Sequence, residues 1–275
     1  MKRVIPAGRA TAVLLFVAAA LAPAMAAAQT APAATAETSS GSSETDKWHL
    51  AVGIYGYLPA IDGTVNFPGD AAGSDIHVPF SKLWDNLKMV ADGYVDVHKG
   101  HWGGYADVIY MDVGSVKSLA QDFPVGGGTI PGGTTLSLDV KATVLTFAGE
   151  YRVVSDPKWT VDALLGTRML YHDIQLGYSV GALAGKKQSL STEWDGVVGV
   201  KGRYGERLRW FVPFYLDVGT GETKLTWQAS GGLGYAWRHT EVVVLYRYLD
   251  WEGKSTQPLS NLSFSGPEVG FAYHF

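Results

Sequence analysis

Apolar residues alternate with small or polar residues through most of the sequence after residue 46. In the first such segment, WHLAVGIYGYL, Trp48, Val52 and Ile54 fall on one face, and His49 and Gly53 fall on the other. A period of two indicates a β-strand whose two faces meet different surroundings. The pattern recurs in ten segments, at about 46–60, 88–99, 102–113, 138–153, 159–174, 192–204, 207–218, 224–238, 241–251 and 261–275. We therefore predict an all-β chain.

The connections between these segments alternate in length. Tight turns such as KGH, SDPK and RHT follow every second strand, and only the short connection 219–223 departs from the trend. The longer connections, rich in Gly, Ser, Thr and Asp, are 61–87, 114–137, 175–191 and 252–260. Short turns at one end and long loops at the other are typical of outer-membrane barrels, whose short turns lie in the periplasm. We predict a closed antiparallel transmembrane β-barrel of ten strands, with eight or twelve strands as the alternatives.

Large aromatic residues cluster near the predicted strand ends. The predicted periplasmic interface carries Trp48, Trp102, Trp159, Trp210, Trp237, Tyr273 and Phe275. A second group near the opposite ends consists of Tyr110, Tyr171, Trp194, Trp227 and Tyr248. Such rings concentrate at the two interfaces between membrane and water, so the two groups predict the borders of a lipid-facing band. The structural alternative is a soluble β-sandwich, in which the apolar face would be the core.

The alternating pattern is preceded by a different kind of sequence. Residues 1–28 combine Lys2, Arg3 and Arg9 with the apolar run AVLLFVAAALA and small residues, which predicts a secretory signal peptide. Residues 29–45 are small, polar and patternless, as in a disordered periplasmic leader. The barrel then occupies 46–275, and we expect it in the outer membrane of a Gram-negative bacterium, in contact with lipid and lipopolysaccharide.

Charge and cysteine content exclude several functions. Removal of the three basic residues of the signal peptide changes 22 basic and 26 acidic residues to 19 and 26, a net charge of −7. This balance argues against a nucleic-acid partner. The chain has no cysteine, which excludes disulfides, thiolate metal ligands and a cysteine nucleophile.

The last strand, GPEVGFAYHF, ends on Phe275 with apolar residues at alternate positions before it, namely Val269, Phe271 and Tyr273. This ending resembles the C-terminal signature of bacterial outer-membrane β-barrel proteins, which implies recognition by the barrel assembly machinery. The stretches YGYLPAIDGTV, FSKLWDNL and KGHWGGYADVIYMDVG resemble a proteobacterial family of uncharacterised outer-membrane proteins over residues 46–113. That family implies no activity, cofactor or site residue.

The face opposite the lipid-facing one collects nearly all charges of the strands. The predicted lumen network consists of Asp92, Asp96, Asp107, Glu150, Arg152, Asp162, Arg168, Asp195, Lys201, Arg203, Arg209, Asp217, Arg238, Glu241, Arg247 and Glu268. A barrel of this size is largely filled by side chains, and buried charges need partners. We expect a plugged polar lumen, with a thin polar passage or a ligand cavity as the alternative.

Two segments fit the alternation poorly. Leu136, Leu138 and Val140 have the opposite parity to Phe147 later in the same segment, which predicts a bulge or a shorter strand there. In the last segment, Leu262 and Phe264 raise the same conflict.

Histidines offer one candidate for metal binding. His49, His98 and His274 fall near the periplasmic ends of neighbouring strands and point inward. Imidazoles gathered in this way can bind a transition metal. The alternative is that they are polar rim residues, and we predict no cofactor.

No catalytic set stands out in the sequence. We therefore expect a non-enzymatic role in envelope integrity, surface interaction or limited passage of small solutes, with an unknown oligomeric state. The alternative is a hydrolase at the outer rim, either an omptin-like protease or a lipid A-modifying enzyme. The candidate residues for the protease are Asp75, His77, His172 and Asp173. A lipid A-modifying enzyme would instead need a serine and a histidine at the rim, and the loops offer many serines.

Overall fold

The computed structural model describes residues 47–65, 74–78, 81, 87–120, 123–125, 128–130, 134–180, 183–206, 209–254 and 259–275. The predicted signal peptide and leader lie outside these residues. The strands are β1 (Trp48–Tyr57), β2 (Ala60–Val65), β3 (Ser74–Val78), β4 (Leu87–Lys99), β5 (Trp102–Ala120), β6 (Phe123–Val125), β7 (Gly128–Ile130), β8 (Thr134–Ser155), β9 (Trp159–Val180), β10 (Leu183–Gly205), β11 (Trp210–Gly221), β12 (Leu225–Ala236), β13 (Thr240–Glu252) and β14 (Leu259–His274). Among the described residues, no helix has the length and hydropathy of a membrane span.

Ten strands form one closed antiparallel barrel in the order β1-β4-β5-β8-β9-β10-β11-β12-β13-β14. Strand β14 closes the barrel by pairing with β1, from Ala51 opposite His274 to Tyr57 opposite Glu268. Backbone groups inside a bilayer have no water to bond, so a spanning sheet must close and leave no free edge there. The prediction of a ten-stranded antiparallel barrel is confirmed.

On the edge where its later residues pair with β1, the first part of β14, before Gly266, pairs with a different strand. Strand β2 pairs there from Ala60 opposite Ser265, and β3 pairs with β2 as the second arm of a hairpin. Between β1 and β2 the chain bends at Leu58, whose N–H donates to the carbonyl of Pro267 at 3.1 Å. A Cβ on Gly266 would lie 2.3 Å from the Leu58 carbonyl oxygen, so this close crossing requires glycine. Strands β6 and β7 form a separate two-stranded sheet.

Four neighbouring strands are much longer than a membrane requires. Strands β5, β8, β9 and β10 have 19, 22, 22 and 23 residues, whereas β11 and β12 have 12 each. About 9–11 tilted residues cross a bilayer. The four long strands therefore extend beyond the bilayer at the end opposite the short turns. We name this end the loop end and the other the turn end.

The outer face of the barrel is apolar. Leu165, seven residues into β9 from the turn end, is 73% exposed, and Ile54, Val198, Leu233 and Val244 are also exposed. So many exposed aliphatic side chains around one belt would be unfavourable in water, and they fit a hydrocarbon surrounding.

The two segments that fitted the alternation poorly follow one regular parity. Strand β8 pairs with β9 without a register shift from Thr135 to Arg152, so the predicted bulge or shortened strand in β8 is wrong. A register shift lies instead on the neighbouring side, between Val113 and Val116 of β5. Val140 of β8 is buried inside the barrel, as are Leu262 and Phe264 of β14. The conflict arose because the inner face becomes apolar towards the loop end.

Replacement of Leu165 by Arg tests the lipid-facing assignment. We expect a loss of about 2–4 kcal/mol in the free energy of unfolding, because a charge near the bilayer midplane is poorly solvated. Urea unfolding in lipid vesicles measures it, with Leu165→Ala as the control for lost volume. Equal stability of the Arg and Ala variants would contradict a lipid-facing Leu165.

Candidate functional site in the barrel lumen

The loop half of the lumen is filled by an apolar cluster, which we name the apolar plug. Its members are Tyr55, Tyr57, Ile61, Ile109, Met111, Val113, Val140, Ala142, Val144, Leu170, Ile174, Leu176, Leu249, Trp251, Leu262 and Phe264. Trp251 and Phe264 are fully buried, and their ring centroids lie 5.7 Å apart with an edge-on geometry. This plug was not predicted from the sequence, although the parity of Val140, Leu262 and Phe264 was its signal.

Arg247 of β13 borders the plug on the side of the turn end. Its Nε lies 2.8 Å from a carboxylate oxygen of Glu268, and its Nη1 donates to Asp107 at 3.2 Å. Nη1 also donates to the hydroxyl of Tyr55 at 3.0 Å, and that hydroxyl donates to Asp107 at 2.7 Å. Asp92 accepts the backbone N–H groups of Tyr57 at 3.2 Å and Tyr110 at 3.1 Å. These contacts connect five strands, β13, β14, β1, β4 and β5.

Arg168 of β9 forms a second node. Its guanidinium group is fully buried and binds both carboxylate oxygens of Asp217, one of them at 3.0 Å. It also donates to the side-chain oxygens of Gln228 at 3.0 Å and Thr146 at 3.3 Å. The Tyr215 hydroxyl also donates a hydrogen bond to Oδ2 of Asp217 at 2.6 Å. The hydrogen bonds compensate the removal of both charges from water.

A third cluster lies nearer the turn end, around His98. His98 Nε2 lies 2.6 Å from Glu150 Oε2 and 3.4 Å from Asp96 Oδ1. Lys201 contacts Asp96 and lies 2.6 Å from Glu150 Oε1. The cluster continues through Asp162, whose carboxylate accepts Nε and Nη2 of Arg152 at 2.8 and 3.1 Å.

A cavity of about 960 Å³ occupies the turn half of the lumen. Its lining reaches from the turn residues Pro157 and Glu206 to Arg247 beside the plug. A row of tyrosine rings follows its wall, with Tyr105 6.1 Å from Tyr94 and 6.0 Å from Tyr215. We name this cavity the vestibule. The turn half of the lumen is thus polar and partly open. The loop half contains the apolar plug together with buried polar groups such as His172, Glu193 and Asp195.

Most residues of the predicted lumen network lie inside the barrel, but two do not. Arg209 is largely exposed and lies 3.4 Å from Glu206 in a turn, and Arg238 is exposed in the turn after β12. Alternation cannot place either residue, because the strand has not begun at Arg209 and has ended before Arg238. Asp195 is buried at the loop end, where it accepts the N–H of Thr223 at 2.9 Å and its hydroxyl at 2.7 Å.

The three histidines proposed as metal ligands do not form one group. His49 and His98 are cross-strand partners, but His49 is exposed whereas His98 is buried beside Glu150. His274 instead contacts Glu241 at 3.2 Å. Among the described residues, the group with metal-ligand spacing is Asp96, His98 and Glu150, whose donor atoms lie within 4.8 Å of one another.

Two of the candidate hydrolase residues, His172 and Asp173, lie on opposite faces of β9. His172 is fully buried in the lumen, with Nδ1 3.5 Å from Glu193. The neighbouring Asp173 has the opposite strand parity, and its carboxylate accepts the Gln188 amide at 2.8 Å. Asp75 and His77 belong to the backbone of β3, and their side chains lie outside the described residues.

Aromatic rings surround the turn end of the outer face. Trp102, Trp210, Trp237 and Phe275 are exposed there, and Trp159 packs on Tyr204 with ring centroids 4.6 Å apart. A closed barrel with an aliphatic outer band and an aromatic border is built for a bilayer. The chain is an outer-membrane β-barrel protein. Its outer band is the surface that meets lipid.

Solved structures similar to the chain are outer-membrane barrels. The outer membrane protease OmpT from Escherichia coli is 9% identical, with 86% of this chain and 99% of that chain covered and a TM-score of 0.46. The translocator domain of the autotransporter NalP from Neisseria meningitidis is 11% identical, with coverages of 96% and 97% and a TM-score of 0.40. The attachment invasion locus protein Ail of Yersinia pestis is 10% identical, with coverages of 82% and 98% and a TM-score of 0.34. No family model and no curated protein sequence matches the chain.

Replacement of Arg168 by Met tests the second node. We expect a loss of about 3–5 kcal/mol in unfolding free energy, because Asp217 would keep a buried charge without its partner. The double variant Arg168→Met/Asp217→Leu should recover most of this loss, as measured by urea unfolding in vesicles.

The exposed pair Lys224 and Glu252 gives the matched control, since removal of Lys224 should cost under about 1 kcal/mol. A single Arg168→Met variant as stable as the wild type would contradict the assignment of this node.

Proposed function

We propose that this protein is a non-conducting outer-membrane barrel with a non-enzymatic role in surface interaction and envelope integrity. The observation that supports this proposal is the apolar plug, whose 16 members are buried across the loop half of the lumen. An ion that entered the plug itself would lose its hydration and find few polar partners among the plug side chains. The vestibule therefore ends blindly, and solutes from the periplasm enter it without crossing the membrane.

The long strands support the part of the proposal that concerns the surface. From Leu183 to Trp194, β10 pairs only with β9 among the described residues, because β11 ends at Gly221 opposite Asp195. This segment is one border of the four-stranded extension at the loop end. A rigid sheet that stands clear of the bilayer offers backbone and side chains to partners outside the cell, without any catalytic group.

The hydrolase alternative finds no assembled site among the described residues. A general base must reach both its nucleophile and a substrate. His172 lies inside the barrel, and both of its ring nitrogens lack a hydrogen-bond partner among the described residues. Asp173 faces the other side of the strand. These positions favour a role for His172 in packing, rather than in activating water at the rim.

Planar-bilayer recordings of the refolded chain test the non-conducting barrel. We expect no steady unitary currents from the wild type. The variant Trp251→Ala/Phe264→Ala should conduct, because it removes two large buried side chains of the plug. The control Leu233→Ala/Val244→Ala removes two exposed outer side chains and should stay silent.

Heat-modifiable migration in gels identifies the variants that fold, which matters because each plug substitution costs about 3–5 kcal/mol. Steady currents from the wild type would contradict the proposal. A folded plug variant that stays silent would show that another part of the lumen is the barrier.

Assays of lipid A species and reporter peptides test the absence of enzymatic activity. We expect the wild type and His172→Ala to leave both substrates unchanged, since His172 cannot reach a substrate outside the barrel. Cleavage by the wild type that disappears in His172→Ala would replace our proposal with the rim-active hydrolase.

A further inference from the structure

In the wall of the vestibule, three side chains of the types that bind metal ions, an Asp, a His and a Glu, lie close together. His98 Nε2 of β4 lies 2.6 Å from Glu150 Oε2 of β8 and 3.4 Å from Asp96 Oδ1, two residues before it on β4. Asp162 of β9 adds a carboxylate oxygen at 3.7 Å from the same nitrogen. One imidazole and two or three carboxylates, supplied by β4, β8 and β9, make a compact donor set.

The position of His98 is fixed by its surroundings. The side chain is buried, and its ring lies against Gly103, its cross-strand partner on β5. A Cβ on Gly103 would lie 2.5 Å from the ring, so the ring can occupy this place only because residue 103 is glycine. Glu150 and Asp162 are buried as well. Donors on rigid, paired strands lose little conformational freedom when an ion binds.

The acidic groups of the cluster outnumber its Lys and Arg side chains. Its three carboxylates, Asp96, Glu150 and Asp162, face two cations, Lys201 and Arg152. His98 Nδ1 is buried and has no hydrogen-bond partner among the described residues. A buried excess of negative charge is unfavourable and favours an additional cation.

We propose that Asp96, His98 and Glu150 bind one divalent transition-metal ion at the wall of the vestibule. The ion binds the lone pair of His98 Nε2, and the ring proton then lies on Nδ1, so no proton is released. The ammonium group of Lys201, which bridges the two carboxylates in the metal-free protein, moves away from them. An imidazole nitrogen favours Zn²⁺ over Ca²⁺ and Mg²⁺, which prefer oxygen ligands alone. The site differs from a three-histidine site, because His49 and His274 take no part.

Zinc binding to the chelator-stripped, refolded chain tests the site. Isothermal titration in detergent should show one Zn²⁺ per chain. His98→Gln and Glu150→Gln should each weaken binding by about tenfold or more, because each removes a direct ligand. Lys201→Met should strengthen binding, since it removes the cation that competes for both carboxylates.

The variants His49→Gln and His274→Gln are the matched controls. Both residues line the same vestibule, but neither belongs to the donor set, so both variants should bind Zn²⁺ like the wild type. Gel migration before and after heating shows that each variant has folded. Absence of Zn²⁺ binding in the folded wild type, or equal binding by His98→Gln, overturns the proposal. The outcome is independent of the bilayer recordings, because metal binding in the vestibule requires neither a sealed nor an open plug.

Discussion

The structure depends on the backbone hydrogen bonds between the first and last strands of the barrel. Hydrocarbon offers no partner to an N–H or a C=O group, so a spanning sheet is stable only when its edges meet. Pairing of β14 with β1 over Ala51–Tyr57 achieves this closure. Closure then divides the side chains of every strand into an outer and an inner set. All other features of the molecule follow from how these two sets are filled.

The inward-facing side chains fill the barrel lumen in two ways. Towards the loop end, aliphatic and aromatic side chains pack as they would in a soluble core. Towards the turn end, carboxylates meet Arg168, Arg247 and Lys201 in buried ion pairs. Such pairs contribute little net stability compared with well-packed apolar residues, but they penalise any strand register that separates the partners. The plug therefore favours compactness, and the ion pairs favour one arrangement of strands.

The sequence predicted most of the barrel because lipid and lumen impose opposite demands on alternate residues. The ten strands and the aliphatic outer band produce a period of two in the sequence, and the aromatic border produces clusters of rings near the strand ends. The plug was missed because an apolar inner residue such as Val140 or Phe264 looks the same in sequence as a lipid-facing one. Partner choice within the lumen was also out of reach, since Arg168 and Asp217 meet across 49 residues of sequence. The metal-ligand group likewise needed the register that sets His98 of β4 close to Glu150 of β8.

The apolar plug has a consequence for the chain before it reaches its membrane. Strand segments that contribute to the plug, such as VIYM of β5, carry apolar residues at both parities. In water, such segments have no polar side to turn outward, and they are prone to associate with one another. The same side chains that close the finished barrel make its unassembled chain the more vulnerable species.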